Sequence, residues 1–187
     1  FYLSFSLRLS SDLQFAEIIV FGDEPDTPPV PIINLTDTYA DAINVSSSST
    51  YASFTADQAR DDDGATNVMT LRGLDEWVSL DLGTEATLTS IEITSSIGAA
   101  SRLDGAIVSV LDELGNTLFT SAAISGAIRG KVFTFELNGL EGARYVQVDG
   151  ADNQYLQFAE INVFGFEPET PPVPIINLTD TYADAIN

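Results

Sequence analysis

LQFAEINVFG, residues 156–165, is the stretch on which the fold reading turns. It is rich in β-branched and aromatic residues, and it pairs as a strand with RYVQV at 144–148. Moving outward, KVFTFEL at 131–137 alternates imperfectly on Val132, Phe133 and Phe135 and then turns at Asn138-Gly139. AIVSVL at 106–111 meets the turn DELGN before 117–120, while ATLTSIEIT at 86–94 places Leu88, Ile91 and Ile93 at near-alternating positions. EWVSLDL at 76–82 ends at Gly83. No window holds a 3.6-residue period over three turns, and short strands at this spacing predict an all-β sandwich of about eight strands.

The same stretch occurs twice. LQFAEIIVFGDEPDTPPVPIINLTDTYADAIN at 13–44 returns at 156–187, an offset of 156 − 13 = 143, and 29 of 32 positions match. Only Ile19/Asn162, Asp23/Phe166 and Asp26/Glu169 differ. All eight prolines fall in the two copies: Pro25, Pro28, Pro29 and Pro31, then Pro168, Pro171, Pro172 and Pro174. Such segments favour extended polyproline II and cannot donate to a central ladder, so they mark boundaries. The expected organisation is a hairpin at 1–22, a Pro-rich linker and lead-in segment at 23–44, the sandwich at 45–165, and a second linker and lead-in segment at 166–187.

FYLSFSLRL alternates strictly, with Phe1, Leu3, Phe5, Leu7 and Leu9 on one face; Phe15, Ile18 and Val20 follow in the repeated strand. One body is thus supplied with two closing hairpins, and a lone hairpin is marginal in water. These eight residues are the expected subunit contacts, joining copies head to tail by strand exchange. Tandem covalent repeats explain the same pattern, and either arrangement makes a linear fibre.

Composition removes several chemistries. Seven basic and 28 acidic residues give 7 − 28 = −21, and there is neither His nor Cys. Ser-His-Asp and Cys-His catalysis, disulfides and zinc-thiolate sites are therefore excluded. The charge opposes nucleic acid and anionic lipid as partners. No stretch approaches the ~18 apolar residues of a membrane span, and FYLSFSLRLSS lacks the layout of a secretion signal. Glycoside hydrolysis needs only two acids, yet these acids occupy turns and outward strand positions, where solvation is ordinary; no enzyme is expected. Absence of Cys fits a reducing cytosol and equally a secreted bacterial protein that relies on calcium. The acidity favours the second, at the cell surface or beyond it.

NVSSSSTY (44–51), ARDDDGAT (59–66), EWVSLDLG (76–83), SRLDGAIVSVLDELGN (101–116), RYVQV and LQFAEINVFG stand in an order that resembles the discoidin domain, the coagulation-factor C-type, galactose-binding-like β-sandwich of many extracellular proteins. The resemblance implies a jelly-roll-like sandwich with ligand loops at one end. It further implies a structural Ca²⁺ held by Asp63 and Thr66 of the loop and by Glu160 of the final strand, with Asp61 adding charge. Glu17 is the first-copy equivalent of Glu160. For sugar-binding members it points to a cleft formed by Tyr51, Arg72, Arg102, Asp104 and Tyr155, although fucose-binding lectins need a His that is missing here. Trp77 reads as core, and Asn34-Leu-Thr, Asn177-Leu-Thr and Asn44-Val-Ser are glycosylation sequons. The expected function is a structural repeat of an extracellular filament or long adhesin. The alternative is a calcium-dependent carbohydrate-binding module.

Overall fold

The structure, a computed structural model, describes residues 29–167. Eight strands are present: β1 Ile33–Asn34, β2 Asn44–Ser47, β3 Val68–Gly73, β4 Trp77–Ser95, β5 Ile107–Leu111, β6 Thr117–Thr120, β7 Val132–Asp149 and β8 Gln154–Gly165. One short helix, α1, spans Leu35–Thr38. Every pairing is antiparallel, in the order β1-β8-β4-β7-β5-β6, with β2 on β4 and β3 on β8.

Two long strands fold this sheet into a sandwich. Residues 77–81 of β4 pair with 149–145 of β7 and with β2, whereas 86–94 pair with 143–132 of β7 and 88–94 with 165–160 of β8. The bend in β4 falls at Gly83, whose φ is +80° and where a Cβ would lie 2.9 Å from the Ala42 carbonyl oxygen. Further along, where the β4 pairing shifts between Leu88↔Leu140 and Ser90↔Glu136, β7 bends through Asn138 (φ 53°) and Gly139 (φ 81°). Segments expected as separate strands are therefore halves of continuous bent ones. Residues with positive φ turn the chain, and the ladder resumes beyond the corner.

Alternating positions fill the core. Leu80, Leu88, Ile91, Ile93, Val108, Val110, Val146 and Val148 are all fully buried. In β8 the core positions are Leu156 and Phe158, then Ile161 and Val163. The step of three coincides with a register shift opposite Thr94 and Ser95, a bulge that changes the phase of the strand. Glu160 is thereby placed off the core face.

The lead-in segment belongs to the body from Ile33 onward. Ile33 pairs with Gly165 and Asn34 with Phe164, while Leu35 and Ile43 are only 2% and 3% exposed. Asn34 caps α1 by accepting from the Thr36 backbone N–H at 3.0 Å and donates to Asp37 (2.8 Å) and Asn162 (3.1 Å). That commitment, with Thr36 buried, closes the Asn34 sequon. Gly165 admits this close approach, since a Cβ there would collide with the Thr87 carbonyl oxygen. The chain thus enters and leaves the body at one end, beside the corners. The starts of β4, β7 and β8 lie at the other.

Candidate functional site

β3 and β8 build a platform at the end remote from β1. Arg72 pairs with Tyr155 and Met69 with Gln157, so the four share one face across a bulge in β3. Tyr51 is drawn in by its N–H, which donates to the Met69 carbonyl at 2.9 Å. Its ring meets Tyr155 edge-on at 5.5 Å and stacks on Phe54 at 6.5 Å.

Arg102 comes from a single 3₁₀ turn, Ala100–Leu103, and lies 4.7 Å over the Tyr155 ring. Its Nη1 donates to Gln157 Oε1 at 2.6 Å, and Gln157 Nε2 donates to Ser96 Oγ at 3.1 Å. Gln157 is buried and fixes the guanidinium over the ring, a contact worth ~0.5–2 kcal/mol. Arg72 Nε donates to the Asn153 carbonyl at 2.6 Å.

Four of the five cleft residues, Tyr51, Arg72, Arg102 and Tyr155, thus converge. Asp104 does not join them, because its carboxylate accepts the Ala127 N–H at 2.8 Å and ties down a turn. Trp77 is half-buried at the start of β4 and stands outside the buried core cluster. Gln157 was not among the expected residues, since one polar residue between Leu156 and Phe158 is ordinary alternation.

A second constellation lies on the outer side of β8. Thr66 Oγ1 donates to Asp61 Oδ1 (2.9 Å) and Oδ2 (2.8 Å) and approaches the Asp63 carbonyl at 3.0 Å. The Asp63 carboxylate accepts the Ala65 N–H at 2.9 Å, within its own loop. Asp62 holds φ 58°, a left-handed backbone uncommon outside glycine.

Glu160 is 7% exposed, and neither carboxyl oxygen has a hydrogen-bond partner. Burial, then the neighbouring Asp61 and Asp62, pushes its pKa up to about 8. Gln58 Oε1 and Asn67 Oδ1, at the two ends of this loop, are also buried without partners. The Asp37 carboxyl of α1 is held above the usual carboxylate range by burial first and then by the Asp62 charge.

Buried acceptors are satisfied in nearly all native structures, and the donors gathered here are the oxygen type that suits a hard cation. Among the described residues no three acidic side chains gather closely enough to hold a metal alone. A complete shell would need the carbonyl and amide oxygens as well.

Glu160 also makes stability depend on pH. A carboxyl titrating near 4.5 when unfolded and near 8 when folded contributes fully below pH 4.5, and its contribution is lost as pH rises through 8. The metal-free protein should lose on the order of 3 kcal/mol between pH 5 and 9 through this group, and Glu160→Gln should remove that component. Denaturant melts of both proteins across this range in chelator check it; parallel pH profiles would contradict it.

No protein-family profile matches the chain, and no curated relative matches it. Solved structures do. The fucolectin of striped bass (Morone saxatilis) serum is 26% identical with a TM-score of 0.61, over 72% of this chain and 48% of that one. This chain therefore spans about half the length of that lectin. The lectin domain of lectinolysin, solved as a His 62 mutant with Lewis b, is 23% identical with a TM-score of 0.63, over 74% of this chain and all of that one. A family 32 carbohydrate-binding module of C. perfringens NanJ, solved with galactose, is 17% identical with a TM-score of 0.60, over 72% and 99%. With its bent strands, loop-borne cluster and these neighbours, the chain has the discoidin-like, galactose-binding-like β-sandwich fold.

Proposed function

We propose that the chain is a carbohydrate-binding module that works by recognition, without catalysis. The observation that carries this is the convergence of Tyr51, Tyr155, Arg72 and Arg102 at the end away from the linkers. Half-exposed aromatic rings offer apolar faces to a sugar ring, and fixed guanidinium groups donate to its oxygens and orient it. The neighbours in solved structures support the reading, since they are lectins and carbohydrate-binding modules.

In the same proposal Asp61, Asp63, Thr66 and Glu160, with Gln58 and Asn67, hold a structural Ca²⁺ beside β8. The ion would neutralise the buried carboxylate and fix the loop leading from Tyr51 to β3. It supplies no chemistry to a reaction.

Strand exchange finds one acceptor taken. Among the described residues the β8 edge at Phe164 and Gly165 is occupied by the chain's own Ile33 and Asn34. Phe1, Leu3, Phe5, Leu7, Leu9, Phe15, Ile18, Val20 and Glu17, and the Asn177 sequon, lie outside the described residues. Residues 176–187 are identical in sequence to 33–44, and we assign them to a further covalent repeat. Because chain entrance and exit share one end of the body, repeats would hang from their linkers with the clusters facing away. That arrangement suits multivalent binding outside the cell. No helix of the described residues is long and apolar enough to cross a membrane.

A glycan array probed with the whole chain in calcium tests the module. Saturable binding is expected, and Tyr155→Ala should weaken it by roughly 10- to 100-fold, the range of a central aromatic contact, while Tm falls by only a few degrees for the lost ring contacts. An array with no bound glycan would refute the reading.

A further inference from the structure

We propose that this cluster selects a glycan that carries a carboxylate. The proposal rests on the glycan-binding reading and adds the chemical class of the ligand. Acidic residues outnumber basic ones by 28 to 7, so each cation has four carboxylates available for pairing. Among the described residues only Arg144 takes one, Asp81 at 2.5 Å. Arg72 and Arg102 both flank Tyr155, and among the described residues neither has a carboxylate within ion-pairing distance.

Neutral acceptors fix both guanidinium groups without compensating their charge. Arg72 is held by the Asn153 carbonyl and Arg102 by Gln157. Among the described residues, both Nη groups of Arg72 and the Nε and Nη2 of Arg102 donate to nothing. The carboxylates of this end are turned to other work. Asp104 accepts from Ala127, Glu76 accepts the hydroxyls of Ser48 and Ser49, and Asp149 accepts from Gln147. Asp75 and Asp152 sit in the adjoining turns without an ion pair. At the same end Arg129 donates to the Ile97 carbonyl, and Lys131 donates to the Gly126 carbonyl and lies over the Phe133 ring; among the described residues neither has an ion pair.

Two like charges, one over the Tyr155 ring and one on its cross-strand neighbour, stand without an ion pair among the described residues and amount to an unfilled demand for an anion. The planar fork of arginine matches a carboxylate with two parallel N–H···O bonds, whereas a neutral sugar would leave both charges uncompensated. The net −21 repels anions at long range. At ~0.15 M salt that field is screened beyond about 8 Å, so contact chemistry decides.

The test uses the whole chain in calcium at physiological salt, titrated with hexagalacturonate, a hyaluronan hexasaccharide and 3′-sialyllactose, each beside its methyl ester. The ester keeps the shape and removes the charge. At least one acid is expected to bind tenfold or more tighter than its ester. Arg72→Gln, an exposed change that spares the fold, should bring acid and ester within about twofold, and Arg102→Gln should do the same with Tm as its folding control. Equal binding of acid and ester, or preference for a sulfated hexasaccharide over all three acids, would overturn the carboxylate assignment and leave glycan binding intact. Absence of binding to these probes together with an empty glycan array would overturn both.

Discussion

If the proposed site holds calcium, the ion should raise the melting temperature of this protein by roughly 10 °C, and Glu160→Gln should abolish the rise. This is the largest effect expected from a single side chain. The argument begins with unpaired acceptors: both Glu160 oxygens, Gln58 Oε1 and Asn67 Oδ1 are buried with no partner, around a loop that also carries Asp61, Asp62 and Asp63. A carboxylate in that setting is strained toward its protonated form, and a cation that binds only the folded state reverses the penalty. Saturation at 100 to 1,000 times Kd contributes ~3–4 kcal/mol, which for a body of this size is about 10 °C. Calorimetry in excess calcium and in chelator reads the difference. A midpoint unchanged by chelation would contradict the site.

A truncation gives the second large effect. A fragment spanning 29–167 should fold cooperatively, whereas one spanning 45–167 should not. The shorter fragment loses Leu35 and Ile43, each buried to within 3% of complete, and the strand that pairs with Gly165. Two buried aliphatic side chains are worth ~2–5 kcal/mol each, so the loss is comparable to the whole stability of an ordinary domain. Circular dichroism melts of the two fragments decide the matter. A cooperative transition at the same temperature in 45–167 would place the domain boundary after the lead-in segment.

Strands were legible in the sequence wherever apolar residues kept a period of two, as in Ile91 to Ile93 or Val146 to Val148. The bends were half legible. Gly83 and Asn138-Gly139 announce turns, but nothing local says whether the chain departs there or rejoins the same ladder. The bulge that redirects Glu160 left no mark, because LQFAEIN contains no glycine or proline to signal it. The lead-in segment was read as an approach to the body because α1 is four residues long, too short for any periodicity, and its single apolar residue, Leu35, stands among polar ones. For the site, family resemblance supplied Tyr51, Arg72, Arg102 and Tyr155. It also supplied Asp104, which the structure uses to hold a turn. Gln157, Gln58 and Asn67 became visible only once burial and hydrogen bonding could be counted, since a lone amide in sequence predicts nothing.

The most direct test of the account is the hydrogen-exchange footprint of the tightest glycan bound on the array, measured on the whole chain in calcium. Protection is expected at the amides around Tyr51, Arg72, Arg102 and Tyr155, and nowhere at the linker end. Protection centred instead on the groove of about 560 Å³ lined by Phe119, Phe133 and Phe135, or beside Phe166 where the chain leaves the body, would contradict it.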